Sequence, residues 1–132
     1  MWKMKAIMKG SKGQSLVEFA LVVPLLLLLV IGIFEFGRAW MTKNILTGAA
    51  REAVRLLAVP DPPGGPTAAG IRATALLASA GITTATISVN DTLVAFDNVS
   101  VTVTYNFPVL TGLIPGLGNI PLASTTTMRR EY

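Results

Sequence analysis

The chain has 132 residues, 52% of them hydrophobic, and contains neither cysteine nor histidine, which excludes a disulfide framework, thiolate or imidazole metal sites and Ser/His or Cys/His nucleophilic pairs. Its formal charge of +4 comes from Lys3, Lys5, Lys9 and Lys12, all within the first 13 residues; the rest carries seven basic against seven acidic residues. Those remaining charges are scattered rather than clustered among aromatics, so a nucleic-acid partner is excluded as well.

Residues 1–13 (MWKMKAIMKGSKG) are short, basic and free of acids, as a targeting segment or cytoplasmic flank is. Ser15-Leu16-Val17-Glu18 then matches a capping box and predicts a helix that starts at Ser15. The 16 residues from Phe19 to Phe34 hold no charged or hydrogen-bonding side chain, and Leu16 to Phe36 adds only Glu18 and Glu35. As a helix those 21 residues span about 31 Å, close to the hydrocarbon thickness of a bilayer, so membrane lipid is the first partner the sequence implies. Pro24 removes the bond to the Ala20 carbonyl and predicts a kink rather than a break, since membrane helices tolerate proline.

Past Phe36 the pattern turns amphipathic. Met41, Ile45, Ala49, Ala53 and Leu56 fall at helical spacing, with Arg38, Lys43, Arg51 and Arg55 mostly off that stripe, and Glu52 is placed to pair weakly with Arg55. The helix is therefore expected to run on for about 40 residues in all, its second half covered by a head or by neighbouring subunits. Val59 to Pro66, with four prolines and two glycines, ends it. Thr67–Ala80 reads as a short alanine-rich helix capped by Thr67, stopped by Gly81 and making apolar contacts through Ala68, Ile71, Ala75 and Ala78.

Strand periodicity follows. Ala85, Ile87 and Val89 alternate with Thr84, Thr86 and Ser88, and Val99, Val101, Val103, Tyr105 and Phe107 alternate with polar residues up to Pro108. Turn residues around Thr92 to Phe96 predict antiparallel pairing of these two strands. After a Gly/Pro-broken apolar loop from Val109 to Pro121, Leu122–Arg129 offers a third strand. Asn90-Asp91-Thr92 and Asn98-Val99-Ser100 match the glycosylation sequon but read as turns, and Asp91 with Asp97 falls short of the spaced ligand loop of a calcium site.

Charge does not orient the chain, because four lysines precede the span and Arg38, Lys43, Arg51 and Arg55 follow it within about 20 residues. The Thr-rich strands read as an exported head. Gly37-Arg38-Ala39 before Trp40 resembles a signal-peptidase site, and a cut there would leave a secreted binding module; an uncut chain would be an anchored one. The apolar run exceeds the usual 7 to 15 residues of a signal peptide, and Glu35 and Arg38 sit where a cleavage region is ordinarily uncharged.

Gly13-Gln14-Ser15-Leu16-Val17-Glu18-Phe19, the Leu-rich run with Pro24, then Phe36-Gly37-Arg38 and Gly48-Ala49-Ala50-Arg51-Glu52-Ala53, resemble the TadE-like family of pilin-related proteins over residues 13 to about 57. The resemblance implies a prepilin leader cut after Gly13 by a prepilin peptidase on the cytoplasmic side, with Gln14 as the new N-terminus where type IV pilins commonly carry Phe. Glu18 becomes the fifth mature residue, the place where pilins keep a glutamate, and a buried carboxylate facing a neighbour's terminal ammonium would set axial register during assembly. Two plainer readings stand beside it: Glu18 as capping partner of Ser15, and Gly13 as a loop glycine.

The expectation is an α+β chain of three parts: a basic leader (1–13), a transmembrane helix with its extramembrane continuation (14–58), and an exported head (59–132) with a short helix and two or three antiparallel strands. The resemblance implies a non-enzymatic pseudopilin or minor pilin of tight-adherence pili in the bacterial inner membrane. Its N-terminus is cytoplasmic and its head extracytoplasmic, with related pilins and the pilus assembly machinery as partners, no cofactor and no small-molecule substrate.

Overall fold

The structure, a computed structural model, describes residues 11–59, 64–91, 97–109 and 118–130. The expected leader up to residue 10, residues 60–63 of the Pro-rich connection, the 92–96 connection and residues 110–117 of the apolar loop lie outside the described residues. In chain order the elements are α1 (Ser11–Ala58), α2 (Gly65–Ser79), β1 (Thr86–Asn90), β2 (Asn98–Phe107) and β3 (Ile120–Arg129). They form two units, residues 1–35 and residues 36–132.

In the first unit α1 starts at Ser11, a turn earlier than the capping box predicts, so Ser15 and Glu18 lie inside the helix. Nothing between residues 11 and 14 forbids helix, and adding residues to an existing helix costs little once it is nucleated. Glu18 Oε1 accepts a hydrogen bond from Gln14 Nε2 at 3.3 Å, one turn back on the exposed surface. Pro24 is accommodated within α1, which is helical on both sides of it.

In the second unit the sheet has the order β1-β2-β3, antiparallel throughout, which supplies the third strand that a stable sheet needs. Val103 pairs with Ile87 on one side and Ser124 on the other, and Val101 with Val89 and Thr126. Strand period 2 therefore collects Val99, Val101 and Val103 on one face, fully buried, and leaves Ser100, Thr102 and Thr104 on the other. On that outer face the Thr102 and Thr125 hydroxyls hydrogen-bond across the strands at 2.9 Å. Strand β2 ends at Phe107, ahead of Pro108, as expected.

The buried valines share one core with Leu46, Ala49, Ala50, Ala53, Val54 and Leu57 of α1 and Ala69, Ala73 and Leu77 of α2. Two helix faces thus differ from expectation. On α1 the expected Ala49 and Ala53 are buried, but the stripe also takes in Leu46, Ala50, Val54 and Leu57, while Met41 is exposed and Ile45 packs only at the margin. Apolar residues occupy both this line and the neighbouring one, and the sheet selects the line with the larger buried side chains. On α2 the buried line is Ala69, Ala73 and Leu77, while Ile71, Ala75 and Ala78 are exposed, because alanines lie on every side of this helix and only the leucines distinguish a face.

The caps of α2 also shift. Its N-cap is Gly64 with φ +79°, followed by Pro66 in the first turn, so Thr67 lies within the helix. A side chain at Gly64 would bring Cβ within 2.9 Å of the Ala68 Cβ. At the other end Gly81 takes φ +79°, and the Ile82 N–H donates to Leu77 O (2.9 Å) and the Gly81 N–H to Ala78 O (3.0 Å), a Schellman closure in which Ile82 and Leu77 are both core residues.

Candidate membrane anchor and assembly site

The first half of α1 has apolar side chains on every side. An 18-residue window in Gly13–Ala58 reaches a mean hydropathy of 2.9 and is 0% buried, and Leu16, Phe19, Leu21, Leu25 and Phe34 are each about 70% exposed or more. A helix hydrophobic all round needs an apolar environment all round, and a bare patch of this size exceeds what a soluble surface carries. By length and composition this helix is a candidate membrane span.

The residues singled out in the sequence occupy its first turns. Gly13 is helical rather than in a loop, and a Cβ built there meets nothing within 4 Å. Neither backbone conformation nor packing requires a glycine at that position, where it lowers helix stability by about 1 kcal/mol relative to alanine. Gln14, Glu18 and Pro24 are exposed along the same helix, and the Gln14–Glu18 hydrogen bond brings two of them together.

The charges on the second half of α1 divide in two. Arg51 and Arg55 are exposed. Arg38 stacks 4.3 Å above the Phe107 ring and donates through Nη2 to Pro108 O, and Lys43 donates to Ala123 O, so both fasten the helix to the sheet. Thr47 and the buried Ser124 exchange a hydroxyl hydrogen bond at 2.8 Å, which satisfies a polar group in the core. Glu52 pairs with Arg72 of α2 at 3.5 Å rather than with Arg55, because the packing of α2 brings a second guanidinium into reach.

Asp91 corrects a second reading. Read as a turn residue, it directly follows β1, but it is buried there: its carboxylate is 1% exposed and receives Arg130 Nη2 on both oxygens at 2.8 Å, with the Arg130 side chain 3% exposed. Arg130 also donates from Nε to Leu57 O (3.3 Å) and from its backbone N–H to Asp97 O (3.0 Å). One side chain thus joins the ends of α1, β1 and β3, and it occupies a carbonyl at the helix C-terminus where a cation is favoured. The sequence reading missed Arg130, since the partners are 39 positions apart and meet only through the sheet register.

The described residues include a shallow groove of about 430 Å³ lined by Ile45, Gly48, Ala49, Glu52, Arg72 and Leu76 and another of about 490 Å³ between α2 and the edge strand β1. Among the described residues no three acidic or metal-ligating side chains cluster.

Comparison with known proteins agrees with the motif. No curated protein and no solved structure matches the chain. The family model for TadE-like protein matches residues 13–55, which spans Gly13, Gln14, Glu18, Pro24 and the helix up to its core-forming half. Residues 13–55 are TadE-like, and this links the chain to a family of generally structural, pilus-associated membrane proteins.

Proposed function

We propose that the chain is a TadE-like pseudopilin or minor pilin that takes part in assembling tight-adherence pili. A prepilin peptidase at the cytoplasmic face of the inner membrane cuts after Gly13, so Gln14 becomes the N-terminus, and residues 14 to about 36 hold the protein in the bilayer with the head outside. The observation that carries this reading is the coincidence, within the TadE-like segment, of the Gly13–Gln14 and Glu18 motif with a helix whose apolar surface is wholly uncovered.

The action is mechanical. Apolar helices exchange lipid neighbours for protein ones, a transfer that gains from packing and buried polar pairing because lipid tails are as apolar as leucine. Glu18 is the group that gives this exchange a register. Its hydrogen bond from Gln14 holds the carboxylate near the future N-terminus, and in an assembly it faces a neighbour's terminal ammonium. Release before Trp40 fits the head poorly, since it would remove Arg38 from its contacts with Phe107 and Pro108.

N-terminal determination of the membrane-extracted protein, with and without an active prepilin peptidase, is the test. A start at Gln14 that depends on the peptidase supports the reading, and a start at Trp40, or one indifferent to the peptidase, overturns it. Glu18→Ala is expected to insert and be cut normally yet fail to enter the assembly; unchanged assembly rules out the register role.

A further inference from the structure

Phe36 and Trp40 lie one helical turn apart in α1, with ring centroids 6.1 Å apart and planes inclined by 30°. They are 69% and 61% exposed, and Met41 beside them is 66% exposed. Arg38, between them in sequence, is rotated by about 200° from Phe36 on a helical wheel and points to Phe107 and Pro108. The stacked pair therefore faces away from the head, and no core residue of the head is drawn from it.

Its position in the sequence says what covers it. The 21 residues from Glu18 to Arg38 rise about 30 Å as a helix, which is the hydrocarbon thickness of a bilayer. With Glu18 at the inner boundary, Phe36 falls just inside the outer boundary and Trp40 just beyond it. Tryptophan prefers that level, because its ring is amphipathic and its indole N–H finds acceptors among headgroups.

We infer that Phe36 and Trp40 form an interfacial anchor that sits at the outer headgroup level of the bilayer and fixes the depth at which the head rides. The occupant of this face is lipid, argued from its continuity with the apolar run, and the inference rests on the membrane-anchored reading proposed above. The anchor gives the helix a defined resting height, from which assembly must lift it.

The chain holds two tryptophans, Trp2 and Trp40, so Trp2→Phe makes Trp40 the sole indole whether or not the leader is cut. The full chain carrying this change is reconstituted in phosphatidylethanolamine/phosphatidylglycerol vesicles, floated, and its fluorescence quenched with lipids brominated either high or low on the acyl chains. Quenching of Trp40 about twofold stronger by the shallow label is expected for a residue at the interface. In a Trp2→Phe/Trp40→Phe/Phe36→Trp chain the indole sits four residues, about 6 Å, deeper, and the preference shifts toward the deep label. A chain that floats but shows no lipid quenching of Trp40, or the same depth at both positions, overturns the anchor and leaves membrane insertion standing. A chain that does not float overturns both.

Discussion

Arg130→Met strands the Asp91 carboxylate. In the native head that carboxylate is 1% exposed and holds the guanidinium on both oxygens at 2.8 Å, while Arg130 also reaches Leu57 O. Removing one partner of a buried ion pair leaves a charge without its counter-charge and costs about 3–5 kcal/mol. The far-UV circular dichroism of the full chain is dominated by the 48-residue α1, so hydrogen exchange of the β2 amides, in the protein purified in detergent, is the better reporter of the head. Opening of the head by that free energy corresponds to about 10²- to 10⁴-fold faster exchange at Val101 and Val103. Asp91→Asn/Arg130→Met carries no stranded charge and is expected to recover a large part of the loss, because the cost lies in the unpaired ion and not in the absence of the pair. A loss below about 1 kcal/mol for Arg130→Met, the range of exposed ion pairs, or strict additivity in the double variant, refutes this account of the junction.

Ala53→Leu forces a larger side chain into a site with 0% exposure and is expected to cost about 1–3 kcal/mol, measured by the same exchange experiment; a neutral result would mean that the helix stands off the core. Gly81→Ala places a Cβ at φ +79° and is expected to cost about 1–2 kcal/mol, seen as faster exchange of the Ile82 amide. Glu52→Ala removes an ion pair whose side chains are 39% and 53% exposed, and is expected to change stability by less than about 1 kcal/mol, an effect that disappears in high salt.

How far the sequence is legible depends on whether one period dominates. Strand β2 reads off directly, because Val99, Val101, Val103 and Phe107 have no apolar competitors at the intervening positions. Strand β3 reads less well, since its inward residues include Ser124 and Thr126, and Thr125-Thr126-Thr127 has no period of its own. Element boundaries set by Pro108, Gly81 and the Pro-rich connection follow from backbone chemistry, whereas the buried faces of α1 and α2 do not. Small apolar residues surround α2, and two adjacent apolar lines run along α1, so the choice is made by the sheet. Of the candidate site, Gly13, Gln14, Glu18 and Pro24 are visible as a motif and as one continuous helix. The Phe36–Trp40 pair has a signal, two aromatics four apart directly after an apolar run, and the Asp91–Arg130 pair has none, because long-range register creates it.

The two halves of α1 solve the same problem with different side chains. In the head the helix buries one stripe, and alanines at 49, 50 and 53 let the core close tightly around it; that half is supplied with partners by its own chain. Between Leu16 and Phe34 the exposed side chains are mostly leucine, valine and phenylalanine, spread over all sides, and among the described residues nothing covers them. If lipid covers them first, as proposed, replacing it by neighbouring helices yields no hydrophobic gain, and leucine against leucine discriminates poorly between one axial position and the next. Discrimination must then fall to the few groups that lipid solvates badly. From Leu16 to Phe36, Glu18 and Glu35 are the only charged residues, and an acid at a bilayer centre costs about 2.5–3.5 kcal/mol, less near an end. A shift of the helix by one turn, about 5.4 Å, alters that cost and the partner available to the carboxylate, while leaving the leucine contacts nearly as good. The proposed register control by Glu18 would act through such a group.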